Sequence, residues 1–160
     1  MLLRLIAAGT KLPAWMNAGV NDYAARLKGG DYKFELIEIP LGHRSGSDAA
    51  RAIAKEGERM SLALASKPAS KPYVVALQVT GKSLSTEQLA TFLQSRSHEG
   101  RDIAFCIGGP EGLAAEIVAR ADLRWSLSSL TLPHGLARVV VAEALYRAVS
   151  VIKGLPYHRA

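Results

Sequence analysis

One cysteine, Cys106, stands in 160 residues, so neither a disulfide framework nor a cysteine-built zinc site can form within the chain. No apolar run approaches the roughly 20 residues that a membrane-spanning helix needs. The opening MLLRLIAAGTKLP carries a charge inside a short apolar stretch and no A-x-A-like cleavage site follows it. It reads as a first strand rather than a secretory leader, and a reducing cytoplasm is the expected location. His43, His98, His134 and His158 are scattered with no pair at helical metal spacing, so metal catalysis is not expected. Repeats, low-complexity tracts and strong linkers are absent, and Ser66–Pro72 reads as a loop inside the domain. A chain of this length fits a single domain, residues 1–160. Carboxylates are missing between Glu58 and Glu87, where Arg59, Lys67, Lys71 and Lys82 lie, and the net charge is +6. That balance favours an acidic partner, nucleic acid first, although an ordinary solvated surface accounts for the same charges. The loop Gly42-His43-Arg44-Ser45-Gly46 adds to the basic character.

What is present alternates. Leu2–Ala8, Phe34–Ile39, Tyr73–Val79 and Ile103–Ile107 read as strands, with a short fifth over Trp125–Leu127. The third and fourth are apolar on both faces, as parallel strands covered on both sides are. Helical patterns fill the gaps. Pro13 opens one to about Leu27, ended by Gly29-Gly30, and Ser47 is an N-cap for another to about Ala65. Ser85 caps a third carrying Leu89, Phe92 and Leu93, and Glu111–Arg120 is a short fourth. The last, about Gly135–Ile152, carries a stripe of Ala137, Val141, Ala144, Leu145, Ala148, Val149 and Ile152, with Val139, Val140 and Tyr146 off it. A helix apolar on several sides needs two partners, its own sheet and a second surface, of which another subunit is the prime candidate. The alternation predicts an α/β fold with a mostly parallel sheet and helices on both faces.

In such sheets ligands bind beyond the carboxyl ends of the strands, where three turns qualify. Thr80-Gly81-Lys82-Ser83 ends like a phosphate-binding loop, but the required earlier glycine is Ala76, inside a strand. Gly108-Gly109-Pro110-Glu111-Gly112 is not the dinucleotide fingerprint, and no G-x-S-x-G elbow occurs. Its glycines permit close backbone approach and positive φ, which serves a tight strand-to-helix turn as well as a ligand cradle. The loop Leu127–Leu132 alternates polar and apolar residues in front of the last helix. It suits either an adenine ring held by backbone groups between leucines or a plain helix approach. Gly154 and Pro156 stop that helix, leaving Tyr157, His158 and Arg159: a residue that stacks on bases, one that moves protons and one that pairs with phosphate, or a frayed end. Glu143 and Arg147 are one helical turn apart and can pair, Arg138 is a further charge on that helix, and Cys106 reads as an inert core residue.

Read jointly, these segments resemble the SPOUT class of methyltransferases. Within it they resemble the small bacterial enzymes that methylate N3 of a pseudouridine in large-subunit (23S) ribosomal RNA. The similarity covers essentially the whole chain: Gly9-Thr10-Lys11, FELIEIP at Phe34–Pro40, KEGE at Lys55–Glu58, IGGPEGL at Ile107–Leu113, SLSSLTLPH at Ser126–His134, AEALYRA, and PYHR at Pro156–Arg159. The joint occurrence is far more specific than any one turn. The resemblance implies a C-terminal part, about 73–160, threaded into a trefoil knot, an exception to the rule against knots. It implies a homodimer and S-adenosyl-L-methionine held by Leu77, Gly108 and the loop Leu127, Ser128, Ser129, Leu130, Thr131 and Leu132. It also implies an assembled ribosome as substrate; with no room in the chain for an added RNA-binding domain, recognition is expected from the dimer's own basic surface. Within that frame His158 and Arg147 are expected near the reacting base, Tyr157 stacking, Arg159 on phosphate, and His134 as a second proton acceptor or a cap.

Overall fold

Alternating side-chain direction gives each central strand two apolar faces, and both are covered. The computed structural model describes residues 1–43, 48–66 and 71–159, without the side chain of His158. Its elements are β1 (Leu2–Ala8), α1 (Ala14–Arg26), β2 (Lys33–Ile39), α2 (Ala49–Ala65), β3 (Tyr73–Ser83), α3 (Thr86–His98), β4 (Ile103–Ile107), α4 (Ala115–Arg120), β5 (Leu123–Ser126) and α5 (His134–Lys153). A 3-10 turn, Pro156–His158, follows. The strands form one parallel sheet in the order β2-β1-β4-β3-β5.

Ile103, Phe105 and Ile107 of β4 join Leu3, Leu5 and Ala7 of β1 in a core completed by Leu89 and Leu93 of α3 and by Val141, Leu145 and Ala148 of α5. Ala104 and Cys106 point the other way, with Ile6 and Ala8, onto Met60 and Leu64 of α2 and Ile117 of α4. Cys106 is fully buried, and desolvation pushes its thiol up to about 12, so it stays a neutral core group. Each fully buried large aliphatic contributes about 1.5–3 kcal/mol, so the two cores hold the strand ends that build the site.

The helix ends follow their local chemistry. Ser85 makes a capping box: its Oγ accepts from the Gln88 amide at 3.1 Å while its own amide donates to Gln88 Oε1 at 2.8 Å. Gly154, at φ 68°, closes α5 with its amide on the Val151 carbonyl and the Leu155 amide on the Ser150 carbonyl. Pro13 sits just before α1. The expected cap Ser47 lies outside the described residues, as do Arg44, Ser45, Gly46 and Lys67 of the basic segments; Asp48 occupies the position preceding α2.

Three boundaries differ from the sequence reading by two residues or more. α4 begins at Ala115 rather than Glu111, because Gly109 and Gly112 bridge each other and the Gly112 amide returns to the Gly109 carbonyl at 3.0 Å. That closure occupies the residues that would have been the first turn. β3 continues past Val79 to Ser83, with a register shift that lets both Leu77 and Lys82 pair with Trp125. A Cβ on Gly81 would fall 2.7 Å from the Arg124 carbonyl carbon, so glycine is what admits the returning strand. β5 starts two residues earlier than read, at Leu123.

Candidate active site

A cavity of about 580 Å³ opens at the carboxyl ends of β3, β4 and β5. β3 supplies Leu77 to Thr80; β4 and its glycine turn supply Ile107 to Pro110 and Gly112. The loop after β5 supplies Leu127, Ser128 and Leu130 to Pro133, and α5 closes the wall with His134 and Ala137. Buried Trp125 lies underneath and packs edge-on against Phe105, ring centroids 5.9 Å apart. The lining is mainly apolar, with a few polar residues, Gln78, Thr80, Ser128, Thr131 and His134, among them, the usual make-up of a small-molecule pocket.

Glycine makes this shape possible. A Cβ on Gly108 would lie 2.2 Å from the Gly112 carbonyl carbon, and Gly112 itself adopts φ 89°. The loop is tied by its own serines: Ser126 Oγ donates to the Ser128 carbonyl at 2.9 Å, and the Leu130 amide donates to Ser128 Oγ at 3.0 Å. Leu130 is left 72 % exposed at the rim, beside Val79 at 48 %.

The first turn of α5 is braced from outside the cavity. Arg138 is completely buried; Nη1 donates to Glu38 Oε2 at 2.7 Å, and Nη2 donates to the carbonyls of Ala8 and Gly9 at 3.0 and 2.6 Å. Those carbonyls end β1, so one side chain joins the pocket wall to the opposite half of the sheet. On the neighbouring edge the Gly42 amide donates to buried Glu56 Oε2 at 2.9 Å, and Arg59 donates to the Pro40 carbonyl at 3.0 Å.

A second constellation lies elsewhere on α5. Arg147 and Glu143 pair at 2.7 Å, as their spacing allows, and that bond raises the Arg147 pKa. The 3-10 turn folds back so that the Tyr157 hydroxyl reaches Glu143 Oε1 at 3.2 Å and the Tyr23 hydroxyl at 3.1 Å. Desolvation, together with those two partners, pushes the Tyr157 phenol above its ordinary range. Its ring meets Tyr146 at 4.7 Å and Tyr23 at 6.4 Å, both near-perpendicular, and Arg147 lies 4.9 Å from its centre.

Of the residues expected to hold a ligand, Leu77, Gly108, Leu127, Ser128, Leu130, Thr131 and Leu132 line the cavity, while Ser129 is exposed in the same loop and off the wall. His134 lines it too. Arg147, Tyr157 and Arg159 do not; Arg147 stands ten residues beyond Ala137, about 15 Å along the axis and a quarter-turn around it. Within one chain Arg147, Tyr157 and Arg159 therefore stand apart from the cavity that the loop residues line. The His158 side chain lies outside the described atoms. Thr80 stood in one of the three turns singled out, but Gln78, Val79 and Trp125, read as strand residues, went unread in the sequence as pocket walls. Among the described residues no group of three His, Cys, Asp or Glu could hold a metal ion, and no helix is long and apolar enough to cross a membrane.

A parallel sheet whose last three strands and last helix enclose such a pocket is the arrangement to which the comparisons also lead. The family model described as "Predicted SPOUT methyltransferase" matches residues 1–158, and the chain belongs to that family. A protein of Alkalilimnicola ehrlichii named ribosomal RNA large subunit methyltransferase H is 50 % identical, covering 100 % of both chains. One of the same name from Pseudomonas fluorescens is 49 % identical over 99 % of this chain and 100 % of its own. Among solved structures, a probable methylase family protein from Haemophilus influenzae superposes with a TM-score of 0.57 at 16 % identity, over 96 % of this chain and 69 % of that one. A structure described by the 2-OH methylation of C/U34 on tRNA gives 0.51 at 19 % identity, over 96 % and 97 %. At those identities the likeness is one of fold.

Proposed function

We propose that this chain transfers a methyl group from S-adenosyl-L-methionine to N3 of a pseudouridine in 23S ribosomal RNA, acting on the assembled ribosome as a cytoplasmic homodimer. The observation that carries the reading is full-length similarity, at about half identity, to proteins named as large-subunit ribosomal RNA methyltransferases. The cavity supports the cofactor. Its volume suits a nucleoside-sized ligand, the apolar side chains of Leu77, Leu127 and Leu132 suit the faces of an adenine, and the close turn at Gly108 suits backbone hydrogen bonding. In this reading residues 1–160 are one domain, and about 73–160 form the trefoil-knotted part that holds the cofactor.

When bound, S-adenosyl-L-methionine supplies an electrophilic methyl on a sulfonium. The protein's part is alignment and proton removal. The pocket walls exclude water and fix the donor, which converts an encounter into an aligned displacement. The N3–H of the ring is weakly acidic, and its proton must leave for the nitrogen to attack. His158 is assigned to that proton, with His134 on the cavity wall as the alternative acceptor. Arg147 and Arg159 are assigned to the charge of the base and its phosphate, and Tyr157 belongs to the same substrate-facing tail. Because Arg147 and Tyr157 lie off their own chain's cavity, the reading requires a second subunit to bring its tail to the first one's pocket. Half-buried Val139, Val140 and Tyr146 on α5 offer an apolar surface for that pairing. In this reading affinity comes from the basic surface and is salt-dependent, and selection comes from a base presented in a loop.

The test is transfer of labelled methyl from S-adenosyl-L-methionine to ribosomes lacking the modification, followed by digestion to nucleosides. Label in N3-methylpseudouridine is expected. Label in a 2′-O-methylated nucleoside of transfer RNA would replace the substrate while keeping the cofactor, and a chain that binds no cofactor would overturn the enzymatic reading.

A further inference from the structure

We propose that Tyr23 and Arg26 of α1 are positioning residues for the reaction: they form the seat on which the C-terminal tail is held, and Tyr157 is the tail's anchor rather than a ring that stacks on the target base. The proposal rests on the reading above that the tail faces the substrate.

The seat is built from three elements. Tyr23 and Arg26 come from α1, Glu143, Tyr146 and Arg147 from α5, and Tyr157 from the 3-10 turn. Tyr157 uses both of its capacities there. Its hydroxyl lies 3.1 Å from the Tyr23 hydroxyl and 3.2 Å from Glu143 Oε1. Its ring is engaged edge-on by Tyr146 at 4.7 Å and by Tyr23 at 6.4 Å. Arg26, held by Asp22 at 3.0 Å, places its guanidinium 5.1, 5.5 and 5.6 Å from the centres of Tyr23, Tyr146 and Tyr157. A cation facing three rings favours each of them electrostatically and ties them into one unit. A ring so engaged would have to leave every one of these partners to stack on a base.

The consequence for the reaction is leverage. The two residues that follow Tyr157, His158 and Arg159, start from a point that α1 and α5 fix. Their approach to any reaction centre is then set by a cluster that lines no part of the cofactor cavity. Tyr23 and Arg26 touch neither cavity nor base in this scheme; they act through the tail. Loss of the seat should therefore lower turnover and leave cofactor binding alone.

The experiment compares the full-length chain with Tyr23→Phe, Tyr23→Ala, Arg26→Met, Arg26→Lys and a version lacking residues 156–160. Methyl transfer to ribosomes, cofactor affinity, thermal stability and trimming of the tail by carboxypeptidase are read on each. Expected for Tyr23→Ala and Arg26→Met is a fall in kcat of about tenfold, the scale of a small misplacement of a reacting group. Tail trimming should be faster, with KM for ribosomes and cofactor affinity unchanged and Tm within about 2 °C of the parent. Tyr23→Phe, which keeps the ring, and Arg26→Lys, which keeps the charge, should each recover part of the loss. An inactive truncated chain beside Tyr23 and Arg26 variants with parental kcat and trimming would overturn the seat while leaving the tail's role standing. A fully active truncated chain would overturn both.

Discussion

The cavity and the tail seat are built from opposite materials. The cavity is made of backbone: glycines that let one turn fold onto another, serines that tie a loop to itself, and aliphatic walls. The seat is made of side chains: three tyrosines, two arginines and a glutamate drawn from three elements. Backbone is pre-formed and tolerates no added atom, which suits a ligand of fixed shape. Side-chain clusters come apart residue by residue, which suits a segment that must be placed and released. The difference teaches that a change at one region should read out in affinity and a change at the other in rate.

The sharpest way to break that contrast is Gly108→Ala. Its Cβ would meet the Gly112 backbone at 2.2 Å, where nothing flexible can yield. Cofactor affinity measured by calorimetry should fall by about a hundredfold or more, near 3 kcal/mol. A variant binding normally would show that the turn gives way and that the backbone account is wrong. Next in size is Glu143→Gln, which takes the charge from a carboxylate that Arg147 and Tyr157 share. Methyl transfer should drop about tenfold with cofactor affinity unchanged, the converse of the first variant. Parallel loss of both quantities would mean that the two regions are coupled through α5.

Ser128→Ala sharpens the picture on the cavity side. It removes the acceptor for the Leu130 amide, so the loop should loosen at a cost of about 1 kcal/mol, seen as a roughly fivefold weaker cofactor complex. The smallest effect at neutral pH lies in the seat's own titration. The seated Tyr157 phenol is held above its ordinary value of 10 by desolvation and its two partners. Below pH 10 both seated and released tails are neutral there and the docking is fully present. As pH rises past 10 the released tail loses its proton first, so docking weakens. Carboxypeptidase trimming should accelerate above that pH in the parent and not in Tyr157→Phe. Identical profiles would show that the hydroxyl is not engaged in solution.

Much of the fold was legible because it rests on local rules. Leu2–Ala8 and Ile103–Ile107 were read at their observed ends since a two-sided apolar run bounded by polar residues has one extended solution in a parallel sheet. Ser85 announced its helix because a cap is a contact between residues three apart. The misread boundaries had tertiary causes. β3 runs on because β5 accepts it twice, and α4 starts late because Gly109 and Gly112 bridge first. The cavity loop was legible through family resemblance rather than pattern, and the alternation of side chains in it put Ser129 outside. Tyr23 and Arg26 gave no signal at all. Their partner Tyr157 lies 134 residues away, and no periodicity on α1 marks a face reserved for the far end of the chain.

The order of strands has a consequence for how this chain is made. β1 is made well before β4, yet the two are neighbours, and Asp102, the residue preceding β4, takes the Leu2 amide at 2.8 Å across 100 residues of sequence. At the carboxyl end of β1, β2 supplies the Ile39 carbonyl to the Gly9 amide, and Arg138 of α5 takes up the carbonyls of Ala8 and Gly9. During synthesis the apolar strand must therefore wait, half-paired with β2, until β4 and then α5 have been made. Contacts of such long sequence separation make for slow folding, and a nascent chain held open that long is a natural client for a chaperone.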